Sequence, residues 1–255
     1  MAIPKLSEMP IGPTNYQPWE GTVIPPTPIP NDAADAQRTF TPPTPSSTPN
    51  ELFSVQINNC SVRGYRFVRK TDPEQMLMFV DGSSLGNGSP TARAGFGVVS
   101  APLEWYQPLS KRLEQDGNAQ TNNRAELRAV LAALGLRWWY GEGFKKVVVA
   151  SDSEYVVNGI SKWMLTWRKN EWKTNTGAVI VNLDIWKKID EKLRGMEKQG
   201  MLVQFWWIPR GLNEADAYAK AGAEKDPVVA EVREIAMMER VPSLGNDADA
   251  YVTVL

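Results

Sequence analysis

The spacing of apolar residues changes several times along this chain, and each change marks an element. FSVQI at 53–57 and YRFVR at 65–69 are short alternating runs that suit an edge strand or a lead-in. MLMFVD at 76–81 is an almost continuous apolar run ending on an acid, the pattern of a buried strand. The glycines and polar residues of GSSLGNGSPTARAG predict a turn after it. FGVVS and the segment around WYQPLS then complete an antiparallel meander. From TNNRAEL onward the spacing becomes helical: Leu127, Val130, Leu131 and Leu134 form one stripe, and Thr121 or Asn122 can cap it.

KKVVVASD at 145–152 is a β-branched run of the kind found in a central parallel strand covered on both faces. SEYVVNGI begins a helix, NLDIWKKIDEKLRGM forms another, and LVQFWWIP at 202–209 is a last strand stopped by Pro209. Trp206 and Trp207 point to opposite faces of that strand, so at least one belongs to the core. EADAYAKAGA opens a further helix, and PVVAEVREIAMMER at 227–240 predicts one more. Strands first, then strands alternating with helices, predict an α/β domain with a mixed five-stranded sheet flanked by helices.

Composition divides the chain further. Of its 19 prolines, 12 fall in the first 50 residues, where PPTPIP and TPPTPSSTPN supply no periodic apolar face. Residues 1–50 are therefore expected to be a disordered proline-rich segment, which can dock a partner's groove through PxxP-like stretches. Residues 51–75 read as a lead-in, 76–225 as the main domain, and 226–255 as a C-terminal helix with a loose acidic tail. Lacking a long apolar run and a secretory start, the chain is expected to be intracellular, in nucleus or cytoplasm, and monomeric. Cys60 is the single cysteine, read as an ordinary free thiol, and there is no histidine. Cysteine-based zinc sites, the usual zinc motifs and histidine bases are excluded. The net charge of −1 hides a contrast, because 20 Lys and Arg stand against 16 Asp and Glu between Met76 and Lys225, a balance of +4.

Four separated acids carry the candidate chemistry: Asp81, Glu126, Asp152 and Asp216. Each has a plain alternative. Asp81 before a glycine can cap a turn, Glu126 can pair with Arg124 or Arg128, and Asp216 near a helix start can be favoured by the helix dipole. Asp152 ends a parallel strand, a favoured site position in α/β sheets. Jointly, two acids at strand ends and two on adjacent helices can converge at one sheet edge, where carboxylates are unfavourable without cations. An all-oxygen set suits Mg²⁺, with Mn²⁺ able to replace it.

FVDGSSLGNGSP, TNNRAELRAVLAAL, ASDSEYVVNGISKW with WRKNEWKTNTG, and NEADAYAKAGA resemble, in order and spacing, successive motifs of type 1 ribonuclease H. The likeness covers roughly residues 75–225. RTDP-like and IPR details before the first strand and the last acid are most similar to histidine-lacking filamentous-fungal members; the chain itself reads KTDP there. The resemblance implies an RNase H-like fold and endonucleolytic, two-metal hydrolysis of the RNA strand of RNA–DNA hybrids, giving 5′-phosphate and 3′-hydroxyl products. It also implies Asp81, Glu126, Asp152 and Asp216 as catalytic metal ligands. The chain departs from the pattern in having WIPRGLNEAD, with Arg210, where many members carry a histidine loop. Its Asn213-to-Asp216 spacing is one residue shorter than in many members, which leaves Glu214 as a possible stand-in for Asp216.

For the hybrid itself, the resemblance points to Ser84, Gly86 and Asn87 in the turn, to the capping residues Thr121, Asn122 and Asn123, and to Glu154 and Arg210. From Gly159 to Lys173, Lys162, Arg168, Lys169 and Lys173 stand against Glu171, a local +3, and Trp163, Trp167 and Trp172 interleave with them. Lys162, Trp163, Trp167, Arg168 and Lys169 are the candidate contacts to the DNA strand; packing of the rings onto the domain is the alternative, and the favoured one for Trp163. A catalytically silent nucleic-acid-binding domain of the same fold is the competing function.

Overall fold

The computed structural model describes residues 5–9, 27–58, 64–232, and 240, 241, 250 and 251. In chain order its main elements begin with helix α1 (Asn31–Ala36) and helix α2 (Pro49–Leu52). Strands β1 (Phe53–Ile57), β2 (Tyr65–Arg69), β3 (Asp72–Leu85), β4 (Arg93–Val99) and β5 (Leu109–Arg112) follow. Helix α3 (Asn122–Gly135), strand β6 (Lys146–Ser151), helix α4 (Glu154–Asn158), a π-helical turn (Gly159–Trp163) and helix α5 (Met164–Lys169) come next. Helix α6 (Leu183–Lys198), strand β7 (Leu202–Trp207) and helix α7 (Asp216–Glu224) complete the set.

The sheet has seven strands rather than the expected five. The two additional strands are β1 and β2, whose alternating runs form an antiparallel pair from Phe53↔Arg69 to Ile57↔Tyr65. Thus 51–75 is part of the sheet. One edge of β3 pairs in parallel with β6 from Gln75↔Lys146 to Phe79↔Ala150, and β6 pairs in parallel with β7. The other edge receives β2 near Met76 and Leu77, then β4 from Phe79↔Val99 to Leu85↔Arg93.

Strand alternation separates two cores. Met76, Met78, Val80, Val147 and Val149 face α3 and α6, whose Leu127, Val130, Leu131, Ile185, Trp186 and Ile189 are buried with them. Leu77, Phe79, Val148, Ala150 and Trp206 face the other way, against Leu6, Phe40, Phe53 and Ala215. Leu6 and Phe40 come from the proline-rich front, whose described residues 5–9 and 27–50 supply these side chains to the second core. Residues 38–40 run beside β7: the Phe40 amide donates to the Phe205 carbonyl (2.9 Å), and the Phe205 amide to the Arg38 carbonyl (2.8 Å). A strap of this kind satisfies the backbone groups of a sheet edge that would otherwise be open. Apolar periodicity cannot reveal such an element, because only single residues are inserted.

The strand expected at 76–81 continues to Leu85, and Asp81 therefore lies within β3, opposite Gly97, rather than at a strand end. Gly82 explains the continuation: a Cβ there would stand 2.0 Å from the Glu126 amide nitrogen, so its absence lets α3 rest on the strand. The turn comes later, with Gly86 and Gly88 at positive φ of 68° and 86°. The strand expected around WYQPLS begins only at Leu109. Residues 227–232 carry no regular helix, and the rest of the expected 227–240 helix up to Glu239 lies outside the described residues, as does Cys60.

Candidate metal centre

Asp81 is supplied by the middle of β3, Glu126 by the first turns of α3, and Asp152 by the residue after β6. One carboxylate oxygen from each lies within 4.8 Å of the other two. Asp81 and Glu126 are 2% and 5% exposed, too buried for water to screen them. Asp81 Oδ2 and Glu126 Oε2 have no hydrogen-bond partner. Burial, then the charges of Asp152 and Asp216, push the Asp81 carboxyl up to about 8. Burial, then Asp81 and Asp152, likewise raise Glu126 well above the ordinary carboxylate range. Clustered acids with orphaned oxygens fit divalent cations, which prefer all-oxygen ligand sets.

The alternative partners of Glu126 are engaged elsewhere. Arg124 donates to both oxygens of Asp184 at 2.9 and 2.6 Å and also reaches Asp116. Arg128 forms an ion pair with Glu114 at 2.6 Å. Thr121 is the cap of α3, its hydroxyl accepting from the Arg124 amide at 3.2 Å.

Asp216 opens α7 close enough to raise Asp81, yet it falls outside the group of three. Arg210 Nη2 and Lys220 Nζ each approach its carboxylate at 2.6 Å. Burial alone would raise the Asp216 carboxyl, but the hydrogen bonds from Lys220 and Arg210 outweigh it and hold it low. Glu214 does not stand in for Asp216. Its carboxylate accepts the backbone amides of Leu6 and Ser7, the latter at 2.9 Å, and so clasps the N-terminal segment.

Asn213, noticed in the sequence only for its spacing, is a positioning group. Its Nδ2 donates to Asp152 Oδ1 at 2.6 Å and to the Val80 carbonyl at 2.9 Å, while its Oδ1 accepts the Ala215 amide at 3.2 Å. Trp207, 46% exposed, donates from Nε1 to the Asp152 carbonyl at 3.2 Å, while Trp206 is buried as expected of one of the pair. The adjacency of Asn213 to the final acid was a usable signal; the Trp207 contact depends on the pairing of β6 with β7.

The remaining candidates divide. Ser84 lies in β3 with its amide donating to Asn122 Oδ1 (3.0 Å), and the Asn122 amide donates to Asn87 Oδ1 (3.2 Å). This lacing brings Ser84, Gly86, Asn87, Thr121, Asn122 and exposed Asn123 to one rim, but the Ser84 amide is already used. Glu154 is exposed at the start of α4, and Lys162 and Lys169 are exposed on the 159–173 segment. Trp163 and Trp167 pack together at 5.9 Å, with Trp167 edge-on to Trp186 at 5.2 Å and Trp163 edge-on to Tyr155 at 6.1 Å. Trp163 keeps 39% exposure. Arg168 is turned toward Asp35 at 2.8 Å and Asp190 at 3.0 Å, two half-buried carboxylates that water screens only in part.

Residues 73–224 match the RNase H family model, and the chain belongs to that family. Its domain is of type 1. Ribonuclease HI of Haemophilus influenzae is 36% identical over 160 residues, covering 60% of this chain and 92% of that protein. Ribonuclease H1 of Mus musculus is 34% identical over 152 residues, 60% of this chain and 51% of its own length. The chain thus spans about half the length of this mammalian relative. Among solved structures, LC9-RNase H1, a type 1 RNase H with the type 2 active-site motif, is 26% identical with a TM-score of 0.43, covering 59% of this chain and 72% of that one.

Proposed function

We propose that this chain is a ribonuclease H that cuts the RNA strand of RNA–DNA hybrids endonucleolytically, leaving 5′-phosphate and 3′-hydroxyl ends. The observation carrying this reading is the group formed by Asp81, Glu126 and Asp152, with two buried carboxylate oxygens lacking any partner, inside a domain of the RNase H family. Two Mg²⁺ ions, replaceable by Mn²⁺, would activate the attacking water and stabilise charge on the leaving 3′ oxygen. Asp81, Glu126, Asp152 and Asp216 are the residues that would hold them.

The chain's own groups do the rest. Asn213 fixes the Asp152 carboxylate, so that a ligand atom is oriented before any cation arrives. Arg210, permanently charged, offers a scissile phosphate a cation but no transferable proton near neutral pH. The Ser84–Asn87 and Thr121–Asn123 rim suits the 2′-hydroxyl side of a shallow groove, and exposed Glu154, two residues after Asp152, is a further candidate contact. Lys162 and Lys169, with the exposed part of Trp163, suit a phosphate backbone.

The single cysteine accords with an intracellular chain, taken as a monomer. Among the described residues no helix is long and apolar enough to cross a membrane. Thr27, Pro28 and Pro30 are exposed, and Pro30 has the polyproline-like backbone (φ −57°, ψ 140°) that a proline-recognising partner would accept.

Incubating the purified chain with end-labelled hybrid, single-stranded RNA, and RNA and DNA duplexes, in Mg²⁺ and separately in Mn²⁺, tests the reading. Metal-dependent cutting of the hybrid's RNA alone, lost in Asp152→Asn, is the expected result. Hybrid binding without cutting in either ion would replace the enzyme by a silent binding domain.

A further inference from the structure

Asp35 lies in α1, just ahead of the strap and well before the matched residues 73–224, yet it is the carboxylate that three arginines share. Arg168 Nη1 reaches it at 2.8 Å, Arg194 Nη2 at 2.7 Å and Arg38 Nη2 at 3.2 Å. The three come from different elements: Arg168 from α5, Arg194 from α6 and Arg38 from the strap. Arg168 also pairs with Asp190 of α6, and Arg194 with Asp190 and Glu197. Arg38 completes the cluster by pairing with Glu197. Asp35, Asp190 and Glu197 against Arg38, Arg168 and Arg194 make three acids against three bases, a neutral and largely buried set.

We propose that Asp35 is a positioning residue for nucleic-acid binding: through Arg168 it pins the rear of the basic 159–173 segment, holding Lys169 and Lys162 toward a phosphate backbone. The inference rests on the hybrid-cutting reading above. The segment is fastened on two sides. Its ring side is held by Trp163 and Trp167 against Tyr155 and Trp186. Its other end, at Arg168, is held by Asp35 and Asp190, and just beyond it Glu171 and Trp172 take left-handed backbone at φ of 52° and 62°. A basic segment already ordered loses less conformational freedom on binding than a loose one, and therefore binds more tightly. Lys169 follows Arg168 directly, so release of this pin affects Lys169 more than Lys162.

The test uses the full chain, with hybrid cleavage followed in Mg²⁺ and anisotropy of a labelled hybrid followed in EDTA over a salt series. In Asp35→Asn, KM and the binding constant are expected to weaken roughly three- to tenfold, with kcat within about twofold of the parent. The slope of log K against log salt becomes shallower by about one, as for one lost phosphate contact. Asp35→Glu restores part of the affinity, and Asp35→Asn adds nothing on top of Arg168→Gln, since both break the same pin. Parental KM in a folded Asp35→Asn protein overturns the proposal, and so does tighter binding, which would mean that α1 withholds Arg168 from the nucleic acid. Should Asp35→Asn fail to fold, Arg168→Gln, which leaves Asp35 with Arg38 and Arg194, decides by the same KM and salt slope. A parent that neither binds nor cuts hybrid removes the functional reading and this inference together; an active parent with an unaffected variant removes the inference alone.

Discussion

Two of the buried charge clusters in this domain are built on opposite principles. Around Asp35, three acids meet three arginines, and each carboxylate has a guanidinium beside it. Around Asp81, three acids meet each other, and two of their oxygens meet nothing. The chain has arginines within reach of the second cluster, but Arg124 and Arg128 are turned to Asp184, Asp116 and Glu114. A balanced cluster holds parts of a fold together, whereas an unbalanced one is a standing cost that a bound cation relieves. The carboxyl shifts show the contrast at Asp35 and Asp81, although burial outweighs the arginines at Asp190 in the first cluster and raises it. Asp35 is opposed by burial, but its hydrogen bonds to Arg168 and Arg194 lower it to about 2, while burial and like charges raise Asp81 to about 8.

The largest effects come from neutralising one acid in each cluster. Asp152→Asn and Asp81→Asn are expected to lower kcat at least about 100-fold, measured as hybrid cleavage in Mg²⁺. Yet Asp81→Asn should raise the thermal midpoint in EDTA, because it removes repulsion from an unpaired site. Glu197→Gln should do the reverse, losing about 3–5 kcal/mol in urea titrations by leaving buried Arg38 with only its longer contact to Asp35 for charge compensation. A drop in midpoint for Asp81→Asn in EDTA would erase the distinction between the clusters.

Stability against pH sharpens the contrast. Asp81 and Glu126 keep protons in the folded, metal-free protein that the unfolded chain gives up near its ordinary carboxyl values. The folded state therefore binds more protons between about pH 4 and 8, and stability conferred by these two groups falls as pH rises through that window. Saturating Mg²⁺ should flatten the fall, and urea midpoints from pH 5 to 8 with EDTA or Mg²⁺ measure it. Asp35 has the opposite sign: its contribution is present above its unfolded value of 3.8 and is lost as pH falls toward about 2.

Smaller effects probe the rim of the unbalanced site. Asn213→Ala removes the donor shared by Asp152 and the Val80 carbonyl, with an expected loss of about 1–2 kcal/mol and about a tenfold weaker dependence of activity on Mg²⁺. An unchanged Mg²⁺ activation curve would make Asn213 structural only. Arg210→Ala is expected to be the mildest, a few-fold change in kcat with no new ionisation in the pH–rate profile, since arginine does not titrate there.

Much of the site was legible because its residues sit in contiguous local patterns: Asp81 in MLMFVD, Asp152 after VVVA, Glu126 within a capped apolar helix. Even so, reading Asp81 as a strand end missed that Ser83, Ser84 and Leu85 continue the ladder to β4. The turn residues were visible, but strand length is decided by the partner strand. Arg168 departs from a uniformly solvated basic face for a related reason. A run of lysines and arginines reads as one solvated face, while burial of Asp35 and Asp190 beside a single member of the run turns that side chain inward.

By itself, the sequence determined the order of strands and helices, the four acids and the absence of histidine, since these depend on local periodicity and residue chemistry. Tertiary structure alone decided that Glu214 holds the N-terminal segment while Asp216 holds two cations. It also decided that the proline-rich front supplies Leu6, Phe40 and Asp35 to the domain. Those outcomes turn on contacts between residues far apart in the chain, where burial sets which charges must find a partner, and no local pattern records that requirement.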